Sequence, residues 1–340
     1  MRFKTLLSSL ILVCLTATGL KAQDLHFTLW DMNPLNINPA FTGGFSGTFR
    51  VSGIYRDQWR STLNNTRNTG AWTTPSFGVD APIIQGFRKN DWIGVGIGLF
   101  SHQAGSLDLG MSGFSGAAAY HLGLNKKSTS VLTIGVQYGT FGRNINLDNA
   151  QWGNLSNNND FSGMQINDAS FSDWAGGVVL KTQLNKQMSM VLGAAFDHLF
   201  TPDYTLTGSS AGGSNERPFL SSVHGQFDIQ INDKLSLTPQ FYFQSTAKNS
   251  EILVQSYVPY KWNENLTLRP GVSYRLGDAI SVLVGADIKD NLRVMAAYDF
   301  NTSELSSATN GQGGFELAAM YIVKIFKKPD VKPAILCPTL

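Results

Sequence analysis

Residues 92–101, WIGVGIGLFS, put Ile93, Val95, Ile97 and Leu99 on one face of an extended chain and Gly94, Gly96 and Gly98 on the other. Alternation this strict predicts a strand with one apolar face. The period returns in 132–140, where Leu132, Ile134, Val136 and Tyr138 oppose Thr133, Gly135, Gln137 and Gly139. In 219–231, Phe219, Val223, Phe227, Ile229 and Ile231 oppose Ser222, His224, Gln226, Asp228 and Gln230. In 266–276, Leu266, Leu268, Val272, Tyr274 and Leu276 oppose Thr267, Arg269, Ser273 and Arg275. Arg, Asp and Gln thus share strands with a face that is wholly apolar. Less regular alternation marks 48–58, 71–81, 110–121, 172–182, 188–199, 235–245, 251–260, 280–288, 291–301 and 315–326. The pattern predicts about fourteen strands of roughly 9–13 residues. Soluble domains use strands of about 5 or 6, whereas a tilted strand that spans a membrane needs about 9–11.

The connections alternate in length. GLNKKST, QLNKQ, NDK, KWNEN and KDN are short, polar and often basic; between them fall RSTLNNTRNTG, the Asn-rich stretch at about 144–170, TPDYTLTGSSAGGSNE and NTSELSSATNGQGG. Short turns at one end and long loops at the other are the asymmetry of a bacterial outer-membrane barrel, with the turns periplasmic. Aromatic residues near strand ends (Tyr55, Trp59, Trp72, Trp92, Tyr120, Trp174, Phe200, Tyr260, Trp262 and Tyr298) suit interfacial girdles. Lipid cannot satisfy a backbone amide, so spanning strands must close on themselves and leave no edge. An even number of strands places both ends of the barrel on the periplasmic side.

Composition agrees with a chain of strands and turns: 34 Gly, 21 Phe, 10 Tyr and 7 Trp accompany only 15% charged residues in 340. The formal charge of +2, on scattered Lys and Arg, does not point to nucleic acid. The first 22 residues combine basic Arg2 and Lys4, an apolar run and small residues ending at Ala22, the pattern of a secretory signal. The mature chain then begins at Gln23 and keeps only Cys337, so it forms no internal disulfide. No later run of about 18 apolar residues provides a spanning helix. The expected organisation is a signal at 1–22, an irregular segment at 23–45 (periplasmic or in the lumen), a barrel at 46–326 and a periplasmic tail at 327–340.

The segment NPLNINPAFTGG, residues 33–44, reads as neither helix nor regular strand, because Pro34 and Pro39 remove donors and bias their neighbours away from helix. It must be held by packing against something else. YRDQW, 55–59, bunches Arg56, Asp57 and Gln58 at the end of the first strand. Two readings of this cluster stand side by side: an Arg–carboxylate pair at the interface, or a hydrogen-bonding site for the N-terminal segment or a partner.

Catalytic patterns do not form. His26, His102, His121, His198 and His224 are scattered without metal-ligand spacing and read as solvated or hydrogen-bonded residues. Gly94, Gly96 and Gly98 fail the dinucleotide fingerprint, and GFSGA at 113–117 fails the nucleophile-elbow spacing. No cofactor or metal site is expected, and no enzymatic activity.

NPLNINPAFTGG followed by YRDQW resembles the N-terminal signature of the PorP/SprF family, outer-membrane proteins of the type IX secretion and gliding-motility machinery of Bacteroidota. Asn33, Pro34, Asn38, Pro39, Ala40, Phe41, Gly43, Tyr55, Arg56, Gln58 and Trp59 match; Asp57 stands where Asn is common, and Arg60 where Pro often follows. The specific motif occupies about 26–59, while length and strand pattern extend the likeness over the mature chain. The resemblance implies no catalytic residue. It implies an integral outer-membrane barrel that binds other secretion components, such as the periplasmic ring lipoprotein and its partner or an OmpA-like peptidoglycan-binding protein, or that retains a secreted adhesin. The expected fold is all-β: a transmembrane antiparallel outer-membrane barrel of about fourteen strands with an irregular N-terminal segment. A porin or small-molecule transporter of the same architecture is the alternative, and a soluble two-sheet binding module a third.

Overall fold

The computed structural model describes residues 26–60, 72–85, 90–105, 109–125, 129–145, 168–206, 216–246, 249–289 and 291–325. The expected signal at 1–22, most of the 144–170 stretch and the expected tail at 327–340 with Cys337 lie outside the described residues. The chain closes into a barrel of fourteen antiparallel strands. Sixteen strand segments build it: β1 Phe49–Gln58, β2 Trp72–Gln85, β3 Trp92–Ala104, β4 Leu109–Gly123, β5 Ser130–Asn144, β6 Ala169–Gln183, β7 Met188–Asp197, β8 Leu220–Gln230, β9 Ser236–Thr246, β10 Ser250–Tyr257, β11 Tyr260–Asn263, β12 Leu266–Leu268, β13 Gly271–Arg275, β14 Ala279–Ile288, β15 Leu292–Asn301 and β16 Gln312–Val323. β10 and β11 are two halves of one stave, as are β12 and β13.

Proline explains both interruptions. Pro259 and Pro270 have no amide to give the ladder, and the breaks lie side by side, bridged by the Val258 amide donating to the Pro270 carbonyl at 2.8 Å. The predicted strand at 251–260 therefore reaches Asn263 only after a break, and the one at 266–276 is split at Arg269–Pro270. The other predicted strands are present, several of them longer. β1 pairs with β16 over ten residues, from Phe49↔Val323 to Gln58↔Gly314, and this pairing closes the barrel.

The alternation read from the sequence sorts side chains between lipid and lumen. Ile97, Ile134 and Val272 are 62%, 61% and 61% exposed, whereas Ser115, Thr133, Ser273 and Arg275 on inward faces are buried. An apolar outer wall around a polar interior inverts a water-soluble protein and matches a barrel embedded in lipid. Of the girdle aromatics, Tyr55, Tyr120, Trp174, Phe200, Tyr260, Trp262 and Tyr298 are exposed large side chains. Trp92 departs: it stacks on the buried His121 at 4.5 Å, on the lumen side, because it falls on the glycine face of β3.

Both barrel ends, Phe49 and Val323, lie at the end of the barrel that carries the short turns 184–187, 231–235 and 289–291. The length alternation is not strict, since the connections 105–108, 247–249 and 276–278 at the opposite end are also short. Two-residue and three-residue hairpins suit either end of an antiparallel sheet.

Candidate functional site

A fourteen-stranded barrel is wider than its own inward side chains can fill. Residues 26–44 occupy the interior, entering the described structure near the long-loop end and leaving at the short-turn end, where β1 begins. The Asn-Pro stretch is more regular than the sequence suggested. Trp30–Met32 and Pro39–Phe41 are 3₁₀ turns and Pro34–Ile37 is a single α-turn. Each proline sits at the first helical position, where a missing amide costs nothing and a fixed φ helps. Asn38 caps the last turn, its Oδ1 accepting from the Ala40 amide at 2.9 Å.

At the long-loop end the plug is held by charge. Glu316 of β16 accepts from two successive amides, Thr28 at 2.7 Å and Leu29 at 2.8 Å. Arg56 of β1 bonds Glu316 through Nη1 and Asp299 of β15 through Nη2, the latter at 2.9 Å. The Thr28 hydroxyl donates to Asp299 at 2.9 Å and accepts from Arg275 Nη2 at 2.9 Å, while Ser281 donates to Asp299 at 2.7 Å. Arg275 also meets Asp278 at 3.0 Å. All these groups except the half-buried Asp278 are buried, and cations and carboxylates alternate through the cluster, which is what makes buried charge tolerable.

The middle of the plug packs by shape. Phe27, Leu29 and Met32 join Ile54, Tyr257, Leu283 and Met295 of the wall, and Trp30 stacks on Tyr242 at 5.6 Å. Asn38 donates to the carbonyls of Val178 (3.2 Å) and Ala194 (3.0 Å) and lies 3.1 Å from His224 Nε2. Two wall glycines make this approach possible: a side chain at Gly177 would overlap Asn38, and one at Gly135 would overlap the Pro39–Ala40 backbone. Asn33 and Asn36 both reach the Ser76 hydroxyl, at 3.3 and 2.8 Å.

At the short-turn end the wall reads main chain. Four successive carbonyls each accept from a different side chain: Phe41 from Arg50 (3.1 Å), Thr42 from His121 (2.8 Å), Gly43 from the Trp92 indole (2.9 Å) and Gly44 from Lys181 (2.5 Å). Asp80 pairs with Arg50 at 2.7 Å and accepts from the Gly43 amide at 2.6 Å. Gly43 has φ of 68°, and a Cβ there would stand 2.5 Å from Gly94 Cα, so only glycine fits.

The residues of the sequence signature fall into two groups. Asn33, Pro34, Asn38, Pro39, Ala40, Phe41 and Gly43 belong to the plug, and Arg56 bonds it directly through Thr28 at 3.3 Å. Arg56 pairs with carboxylates, but buried in the lumen and not at the interface, and it contacts the N-terminal segment, as the second reading of the YRDQW cluster has it. Tyr55 faces outward, Asp57 pairs with Arg60 at 2.5 Å, and Trp59 packs edge-on against Trp72 at 4.7 Å, while Gln58 ends the β1 ladder. The histidines have polar partners: His121 contacts Thr133, His102 contacts Thr74, His198 contacts Asp173, and His26 lies 3.9 Å from Glu251. The sequence motif omitted Thr28, Arg50, Asp80, Lys181, Asp299 and Glu316. For all but Thr28, which lies in the plug, the signal is charge on the inward face of a strand whose other face is apolar.

These features define a plugged outer-membrane β-barrel. The chain belongs to the type IX secretion system membrane protein PorP/SprF family, whose sequence model matches residues 19–321. No curated protein matches the sequence. Among solved structures, the fold is similar to the Ralstonia pickettii toluene transporter TbuX, with a TM-score of 0.51 at 15% identity over 86% of this chain and 94% of that one. It is similar also to the P. putida toluene transporter TodX, with a TM-score of 0.51 at 13% identity over 86% of this chain and 93% of that one.

Proposed function

We propose that this chain is a non-enzymatic component of type IX secretion and gliding, a barrel that binds other secretion components or anchors a secreted surface adhesin, with its short turns toward the periplasm. The observation that carries this reading is a lumen filled by residues 26–44 and bonded to the wall at both ends. A porin gains from an open lumen, whereas a scaffold gains from a rigid one. The partners are a periplasmic ring lipoprotein and its partner, an OmpA-like peptidoglycan-binding protein, or one large adhesin. Mild detergent extraction, affinity capture of the chain and mass spectrometry test this. Recovery of secretion components or of one secreted protein supports the reading, and recovery of the barrel alone after crosslinking counts against it.

The alternative, small-molecule transport across the outer membrane, is favoured by the likeness of fold to toluene transporters. A large steady conductance of the purified barrel in a planar bilayer, unaffected by partner proteins, would make it the better account.

A further inference from the structure

A cavity of about 420 Å³ opens at the short-turn mouth beneath the plug, bounded by the chain from Gly44 to Gly47 and by Trp92, His121 and Lys181. The arginines that touch the plug each meet a carboxylate: Arg50 meets Asp80, Arg56 meets Asp299 and Glu316, and Arg275 meets Asp278. Lys181 has none among the described residues; its ammonium donates to the Gly44 carbonyl at 2.5 Å and lies 5.5 Å from the Phe41 ring centroid. An ammonium carries three donors, so Lys181 keeps capacity for a ligand in the cavity it lines. Of the other polar side chains of the cavity, the Trp92 indole is committed to Gly43 and His121 to Thr42 and Thr133, and Ser46 carries no charge. Charge recognition there falls to Lys181.

The rim around this mouth has the same sign. Lys186, Lys234, Lys261, Lys289 and Lys324 are exposed in or beside the short turns, against exposed Asp233 and Glu264. A cationic rim around a cavity whose own cation is in salt-bridge contact with no carboxylate among the described residues focuses anions inward. We infer that the cavity is a binding site for a carboxylate carried by an acidic polypeptide segment that enters from the short-turn end. A polypeptide fits better than a lipid headgroup because the cavity opens into the lumen mouth and not onto the lipid-facing wall. Its floor is main chain outside the ladder, and beyond Gly44 residues 45–47 are a stretch that an extended segment can pair with. The inference deepens the scaffold reading by giving the chemistry of the partner segment. Its test uses the isolated barrel, so that it fails separately from the capture experiment.

The full chain is purified in zwitterionic detergent, and binding of capped hexaglutamate and capped hexaglutamine is followed by tryptophan fluorescence at low and high salt. Hexaglutamate binds the wild type, weakens with salt and protects Lys181 from amine acetylation; hexaglutamine does neither. Lys181→Met weakens hexaglutamate at least about tenfold, the loss of one charge-assisted contact, whereas Lys181→Arg stays close to wild type. Heat-modifiable electrophoretic mobility confirms that each variant is folded. If Lys181→Met does not fold, wild-type binding and Lys181 protection decide alone. Equal binding of the two peptides, no binding of hexaglutamate, or wild-type affinity in folded Lys181→Met overturns the inference. Protection of Lys181 by phosphatidylglycerol micelles but not by hexaglutamate overturns it in favour of a phosphate headgroup.

Discussion

Glu316→Ala tests whether charge holds the plug. The carboxylate binds the Thr28 and Leu29 amides at 2.7 and 2.8 Å and also pairs with Arg56. Each hydrogen bond to a charged group contributes about 1.5–3 kcal/mol, and breaking a buried ion pair costs about 3–5 kcal/mol. The two effects share one carboxylate and do not add, so the loss is about 3–5 kcal/mol in the local stability of the segment around Thr28. At about 1.4 kcal/mol per decade, amide exchange there accelerates roughly 140- to 4,000-fold. The wall is untouched, because the β1–β16 closure is a main-chain ladder of ten pairs. Hydrogen–deuterium exchange of the peptide containing residues 26–32, compared with peptides from β4 and β5, is the assay. Unchanged exchange around Thr28 in a variant that still shows folded-barrel mobility would refute the claim that this cluster fastens the plug.

Gly177→Val drives a side chain into Asn38 and is expected to weaken plug seating by about 1–3 kcal/mol, the usual penalty of overpacking; limited proteolysis of the N-terminal segment measures it. Asn38→Asp removes the donor to the Val178 and Ala194 carbonyls and sets a buried acceptor against them, at about 1–3 kcal/mol for a buried polar group left unpaired. It should lower the thermal midpoint of tryptophan fluorescence more than Gly177→Ala does. Val136→Arg, on the exposed outer face of β5, should destabilise the barrel in lipid by about 2–4 kcal/mol, read from its unfolding midpoint in urea. A neutral result there would count against lipid contact at that strand.

The outer wall was legible because its logic is local. A spanning strand must alternate, and Ile93, Val95, Ile97 and Leu99 do so without reference to anything distant in sequence. Arg275 and Arg269 were also visible as charges facing away from apolar neighbours. Their partners were not, since Asp299, Glu251 and Asp287 come from other strands. The Asn-Pro motif was recognised and its helical turns were missed: proline was read as a breaker of helix, and its favourable place at the first helical position requires knowing where the helix begins.

By itself the sequence determined strand number, strand length and which face meets lipid, through a period of two that each segment carries independently. Tertiary structure alone decided that residues 26–44 fill the lumen. That outcome depends on pairs such as Thr28 with Glu316, 288 residues apart, and on the space left by Gly135 and Gly177. Complementarity of charge and shape across a closed barrel exists only once the barrel has closed.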